Sequence, residues 1–150
     1  MRVKLAVVDD ASAILDLQKL CYQFEAAIDD YSIPPLQQTV DSMRDEFENK
    51  VVLKAVESGR IIGSVRAFVK DDTCFVNKLI VHPEFQNKGI GKKLLGSVES
   101  IFISARRFEL FAGEMSAKNL ALYGSMGYRE FKREPSSGRA RLVYMQKLVY

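Results

Sequence analysis

The chain has 150 residues, 47% of them hydrophobic and 27% charged, the composition of one ordinary globular domain spanning 1–150. A net charge of +3 suits an anionic ligand but lacks the lysine and arginine clusters of a nucleic-acid binder. One histidine and two cysteines exclude a site built on several imidazoles and a disulfide framework, so no metal is expected; no apolar run approaches membrane-spanning length, and the expectation is a soluble, cytoplasmic protein without a membrane partner.

In chain order, Val3, Leu5, Val7 and Val8 alternate enough to predict a first strand, and Asp9 or Asp10 can cap the helix that follows. In that helix Ile14, Leu17, Cys21, Phe24 and Ile28 form one apolar stripe. Asp29, Asp30, Tyr31, Ser32, Ile33 and Pro34 break it, and Pro35 can sit in the first turn of a second helix with Leu36, Val40, Met43 and Phe47 inward. Val51 to Val56, Ile61 to Val69 and Cys74 to Val81, separated by Ser58-Gly59 and Asp71-Asp72 turns, predict an antiparallel meander of three strands. Cys21 and Cys74 both lie in apolar contexts, which fits reduced core thiols.

The stretch that organises the chain begins at Phe75. Phe75, Val76, Leu79, Ile80 and Val81 form a strand interrupted only by Asn77 and Lys78, and His82-Pro83 stops it. After Glu84-Phe85 comes Gln86-Asn87-Lys88-Gly89-Ile90-Gly91, and then Lys92, Lys93, Leu94, Leu95, Val98, Ile101 and Phe102, whose apolar members recur at helical spacing. A strand, a glycine loop and a helix start together can bind an anion, because the first N–H groups of a helix have no internal partner and the peptide dipoles add positive charge there. Gly89 and Gly91 let the main chain approach a ligand closely, and Lys88, Lys92 and Lys93 add charge. A glycine pair can also serve only as a tight turn, with solvated lysines beside it.

Further on, Phe108 to Ala112 predicts a strand, and Ser116 can cap a short helix containing Leu120, Leu122 and Tyr123 that ends at Gly127. Tyr128 to Lys132 and Leu142 to Val149 predict two final strands joined through Pro135 to Gly138. The order β-α-α-β-β-β-α-β-α-β-β is that of a mixed α/β domain, an α+β arrangement with helices on both faces of a sheet.

Leu79-Ile80-Val81-His82-Pro83, followed by Gln86-x-x-Gly89-x-Gly91 and Leu94-Leu95, resembles the acetyl-CoA-binding motif of the GCN5-related N-acetyltransferase (GNAT) family. Tyr123-Gly124-Ser125-Met126-Gly127-Tyr128 resembles the family's second segment, Y-x-x-x-G-F/Y, and the likeness covers nearly the whole chain. It implies a mixed, mostly antiparallel central sheet of about seven strands flanked by about four helices. The competing dinucleotide-binding fingerprint wants a third small residue where Leu94 stands, although Glu109 lies at a suitable distance for its ribose-binding acid.

The resemblance implies transfer of the acetyl group of acetyl-CoA, as co-substrate, to a primary amine by direct attack in a ternary complex. In that reading backbone groups of Leu79, Ile80 and Val81 bind pantetheine, and Gln86, Asn87, Lys88, Gly89, Ile90, Gly91 and Lys92 hold the pyrophosphate. Tyr123 gives a proton to the departing thiolate, a task a neutral phenol can perform. Ser116 and Asn119 stand where the family commonly has an asparagine and a small residue, which leaves open which of them contacts the cofactor. Many relatives carry a glutamate on the central strand, but Cys74 to Lys78 contain no carboxylate, so Glu114 is the first candidate for general base. Its alternative is an exposed loop glutamate, and His82, next to Pro83 in a surface loop, reads as solvated. The resemblance places acceptor recognition around Asp29, Asp30 and Tyr31, whose acidic pair suggests a cationic acceptor, either a small molecule or a protein amine. Edge strands could support a homodimer. The alternative function is a coenzyme A-binding sensor or interaction domain that has lost turnover.

Overall fold

The computed structural model describes residues 1–26, 33–136 and 140–149. Its strands are β1 (Arg2–Leu5), β2 (Val51–Glu57), β3 (Arg60–Lys70), β4 (Thr73–Val81), β5 (Arg107–Gly113), β6 (Arg129–Pro135) and β7 (Arg141–Leu148). Its helices are α1 (Ala11–Ala26), α2 (Ile33–Gln37), α3 (Val40–Glu46), α4 (Ile90–Ile101) and α5 (Ala117–Ser125). The strands form one seven-stranded sheet in the order β1-β2-β3-β4-β5-β7-β6, and only the β4–β5 pair is parallel. This is the expected mixed, mostly antiparallel sheet, with five helices among the described residues where about four are expected.

Turn chemistry sets the meander. Ser58 (φ 52°) and Gly59 (φ 76°) link β2 to β3, and Asp71 (φ 51°) and Asp72 (φ 65°) link β3 to β4. Two consecutive positive φ values give a turn whose twist matches that of the flanking strands.

The first strand is shorter than the alternation suggests. It ends at Leu5, and Val8–Asp10 form a short 3₁₀ turn in which the Asp10 carboxylate accepts from Val7 N–H at 2.9 Å and pairs with Lys54 at 2.8 Å.

The helix expected from Pro35 through Phe47 is two helices. Thr39 is extended (φ −96°, ψ 163°), and its hydroxyl accepts from Ser42 N–H at 3.1 Å, so α3 starts anew behind its own cap.

Side-chain alternation loads both faces of the sheet. Leu53, Ala55, Cys74 and Val76 pack with Leu94, Leu95 and Val98 of α4, whereas Val52 packs with Ala11 and Ile14 of α1 and Met43 of α3. Ile80, four residues beyond Val76, lies instead with Leu17 and Cys21 of α1, because a bulge in β4 reverses the alternation. Of the stripe expected on α1, Ile14, Leu17 and Cys21 are buried; the Phe24 side chain, Ile28 and Asp29 to Tyr31 lie outside the described residues. Both cysteines are buried, and neither is in a disulfide among the described residues. Among the described residues no helix is long and apolar enough to cross a membrane.

Candidate active site

The site starts where the sheet opens. The parallel ladder between β4 and β5 lasts only from Thr73↔Arg107 to Phe75↔Glu109, while β5 stays paired with β7 as far as Gly113↔Leu142. From Val76 onward the β5-facing edge of β4 therefore has no strand partner among the described residues, and backbone groups on such an edge can pair with an extended ligand. Leu79, Ile80 and Val81 lie on this free stretch; the Ile80 side chain is buried, so only its backbone can face a ligand there.

Within it the register on β3 jumps from Arg66↔Asn77 to Ser64↔Ile80, and Lys78 is left in the left-handed region at φ 54°. For a long side chain that conformation costs on the order of 1–3 kcal/mol. It re-aims Lys78 into a cavity of about 330 Å³ between the two strands, whose walls include Tyr22, Asn77, Phe111, Asn119 and Tyr123.

The glycine loop closes one end of the opening. A short 3₁₀ turn at Pro83–Phe85 leads into Asn87 (φ 63°) and Gly89 (φ 81°), and α4 begins at Ile90 with Gly89 as its N-cap and no side chain capping it. The first N–H groups of α4 are thus left to an outside acceptor.

The two glycines differ in their reasons. A Cβ on Gly89 would meet no heavy atom within 4 Å, so its backbone conformation and the open space in front of it are what the position supplies. A Cβ on Gly91 would lie 3.1 Å from Leu122 Cδ2, so Gly91 lets α4 pack against α5. Gln86 ties the loop to the strand by donating to the Val81 carbonyl at 3.2 Å, and Cys21 Sγ donates to the same oxygen at 3.4 Å. Ile90 is buried and offers only its backbone; Lys92 is exposed, and Lys88 lies 5.3 Å over the Phe85 ring.

The second segment supplies the facing wall. Ser116 precedes α5 as its N-cap without a side-chain cap bond and does not line the cavity, whereas Asn119 and Tyr123, one turn apart, both do. The Tyr123 ring is 4% exposed and packs 6.2 Å from Tyr128. Tyr128 is held from behind: its hydroxyl donates to Glu99 Oε2 at 2.8 Å, and burial pushes its ionisation far above the ordinary phenol range.

Two sequence-based candidates for proton chemistry, Glu114 and His82, sit elsewhere, and Cys74 is the core thiol expected. Glu114 accepts from Arg141 Nε at 3.2 Å and Arg133 Nη1 at 3.5 Å; a backbone hydrogen bond from Arg141, joined by these guanidiniums, holds its carboxyl below the usual range. It does not line the cavity.

His82 is 8% exposed rather than solvated: Nδ1 accepts from Glu84 N–H at 3.1 Å, Arg60 lies 3.1 Å from Nε2, and the ring stands edge-on to Phe85. It caps the turn that starts the glycine loop. Burial pushes the Cys74 thiol up to about 12, which makes it a poor nucleophile.

Sequence reasoning missed the floor under the cavity. Arg66, 1% exposed, donates to Glu46 Oε2 at 2.7 Å and to Gln18 Oε1; Gln18 Nε2 donates to Pro35 O at 3.0 Å and Gln38 Oε1 at 2.9 Å. Lys50 pairs with Glu46 Oε1 at 2.7 Å. Burial alone would raise the Glu46 carboxyl, but bonds from Lys50 and Gln38 and the charge of Arg66 bring it below the usual range. The network fastens α1, α2 and α3 to β3 and holds Pro35, which lines the cavity. Its sequence signal was Arg66, a charged residue interrupting an otherwise apolar strand.

A family model described as the acetyltransferase (GNAT) family matches residues 11–128. A comparison with curated protein sequences finds no match. The fold is similar to the crystal structure of PaiA N-acetyltransferase from Thermoplasma acidophilum in complex with coenzyme A, with TM-score 0.85, 16% identity and coverage of 99% of each chain. It is similar to the ribosomal-protein-S18-alanine N-acetyltransferase from Escherichia coli, with TM-score 0.82, 17% identity and coverage of 99% of this chain and 93% of that one. The yncA protein of Salmonella typhimurium, a putative acetyltransferase determined with acetyl-CoA, gives TM-score 0.77, 20% identity and coverage of 100% and 94%.

Proposed function

The chain belongs to the GNAT acetyltransferase family, and from that premise we propose that it moves the acetyl group of acetyl-CoA to an amine by direct attack in the opening between β4 and β5. The observation that carries this reading is the free edge of β4 facing Tyr123 across the cavity, with the uncapped start of α4 behind Gly89 following in the chain just past the end of that strand. Similar structures determined with coenzyme A or acetyl-CoA support the choice of co-substrate.

In this reading the pyrophosphate lies against the N–H groups of Gln86 to Lys92, and pantetheine runs along Leu79, Ile80 and Val81 as an added strand. One of those N–H groups polarises the thioester carbonyl. The amine nitrogen attacks the carbonyl carbon, and the oxyanion collapses with cleavage of the C–S bond. The thiolate takes a proton from the Tyr123 hydroxyl, and Asn119 orients the pantetheine amide. Among the described residues no carboxylate or imidazole lines the cavity, so the nitrogen's surplus proton leaves through water instead of Glu114. Neither cysteine lines it, which favours direct transfer over an acetyl-cysteine intermediate.

That same lack of a carboxylate favours the second reading, a coenzyme A-binding sensor without turnover. Release of free thiol together with an N-acetylated amine supports the transferase; coenzyme A binding with no thiol release on any amine supports the sensor. A soluble, cytoplasmic setting and a dimer built on an edge strand, β1 or β6, belong to the same proposal.

A further inference from the structure

The charge of the cavity wall bears on what the acceptor is. Lys78 is the one ionisable cation among the described residues lining the cavity, and no carboxylate lines it. A second, more open hollow of about 440 Å³ shares Lys78, Pro34 and Pro35 with the first and continues to Gln38, Glu46 and Lys50. Lys78 thus stands at the junction of the two.

The only carboxylate among the described residues there, Glu46, is already engaged at both oxygens: Oε1 by Lys50 at 2.7 Å, and Oε2 by Arg66 at 2.7 Å and Gln38 at 2.5 Å. Three cations, Lys50, Arg66 and Lys78, therefore surround one carboxylate among the described residues. Lys78 makes no hydrogen bond or ion pair among them, although the fold holds it in a strained conformation that aims it inward. Desolvation, and next the charge of Arg66, pull its ionisation below the ordinary lysine range. An anion beside the ammonium would relieve both.

We propose that the acceptor is an amine that also carries an anionic group, a carboxylate or a phosphate, and that Lys78 binds this group while the amine faces the thioester. The assignment rests on the acetyltransferase reading and names its acceptor class. It runs against the cationic acceptor suggested by Asp29 and Asp30. The positive wall attracts the anionic end and repels an ammonium, so the acceptor's nitrogen is favoured in its neutral, nucleophilic form. A polyamine brings a further positive charge where the wall, among the described residues, already has one in excess. The bond from an ammonium to an anionic oxygen is of the stronger, charge-assisted kind.

The test uses matched acceptors on the full chain with acetyl-CoA: amino acids against their carboxamides, aminoalkyl phosphates against the corresponding amino alcohols, and polyamines. The carboxylate or phosphate member of a pair should show kcat/KM roughly tenfold or more above its neutral partner. Which pair shows the larger ratio identifies the anion. Lys78→Met should level the two members, mainly through KM, and Lys78→Arg should restore the preference. Polyamines or neutral members turned over as well as the anionic ones by the wild type would overturn the proposal, as would a preference that survives Lys78→Met.

If coenzyme A binds but no amine is acetylated, the transferase reading fails, and the anion site is read from melting of the coenzyme A complex. Stabilisation by the anionic members that disappears in Lys78→Met supports it, and no stabilisation refutes it.

Discussion

Replacing Gly89 by alanine separates the two reasons for a glycine at that position. Gly59 is its natural control: Gly89 (φ +81) and Gly59 (φ +76) share a left-handed conformation, and a Cβ on either meets no heavy atom within 4 Å. Without ligand, both substitutions should cost only the backbone penalty of about 1–2 kcal/mol, which lowers the melting temperature of a domain this size by roughly 2–8 °C. Coenzyme A at a hundred times its Kd adds about 2.7 kcal/mol to a protein that binds it only when folded, roughly 5–11 °C. If the pyrophosphate lies where we propose, the new methyl of Gly89→Ala intrudes on it, so most of that ligand-induced shift should vanish, while Gly59→Ala should keep all of it. Gly89→Glu adds a repelling charge and should abolish the shift. The assay is thermal unfolding across a coenzyme A titration for all three variants. An unchanged shift in Gly89→Ala would refute the phosphate-loop assignment.

Glu46→Gln should leave the buried Arg66 guanidinium without its counter-charge and lower stability by about 3 kcal/mol, roughly 6–12 °C in melting temperature. Because the folded-state ionisation of Glu46 is depressed, its contribution is fully present above the unfolded carboxylate value and is lost as pH falls through the folded value. The gap between variant and wild type should therefore narrow on acidification, and equal melting temperatures at pH 7 would contradict the role given to the network. Glu114→Gln should leave the pH–rate profile in its wild-type form, since Glu114 is ion-paired and outside the cavity; loss of the acidic limb of that profile would restore it as the base.

What was legible in the sequence is what local chemistry decides. The Ser58-Gly59 and Asp71-Asp72 turns, the strand ended by His82-Pro83 and the helix begun after Gly89 are specified by residues within a few positions of one another. What stayed hidden depends on contacts between distant segments. Pro35 and the spacing of Leu36, Val40 and Met43 read as one helix because nothing local favours Thr39 as a cap over its place in the stripe. The Gln18–Gln38 bond, which joins residues 20 apart, belongs to that break. His82 looked solvated because its partners, Arg60 and Glu84, include one from the far end of β3. Lys78 read as an interruption in a strand, since a bulge appears only once β3 and β4 are paired and the register is seen to jump. Asn119 and Ser116 could be told apart only when the cavity had walls.

The most direct test of the account is acetyl-CoA-dependent thiol release over a panel of amino acids, aminoalkyl phosphates, amino sugars, polyamines and lysine peptides, with Tyr123→Phe beside the wild type. The account predicts turnover on at least one amine class, and a Tyr123→Phe protein that binds coenzyme A normally but turns over roughly a hundredfold more slowly, the scale of a lost general acid. Wild-type rates in Tyr123→Phe at saturating substrates would remove the phenol from the chemistry, and thiol release on no amine, with coenzyme A still bound, would contradict the transferase itself.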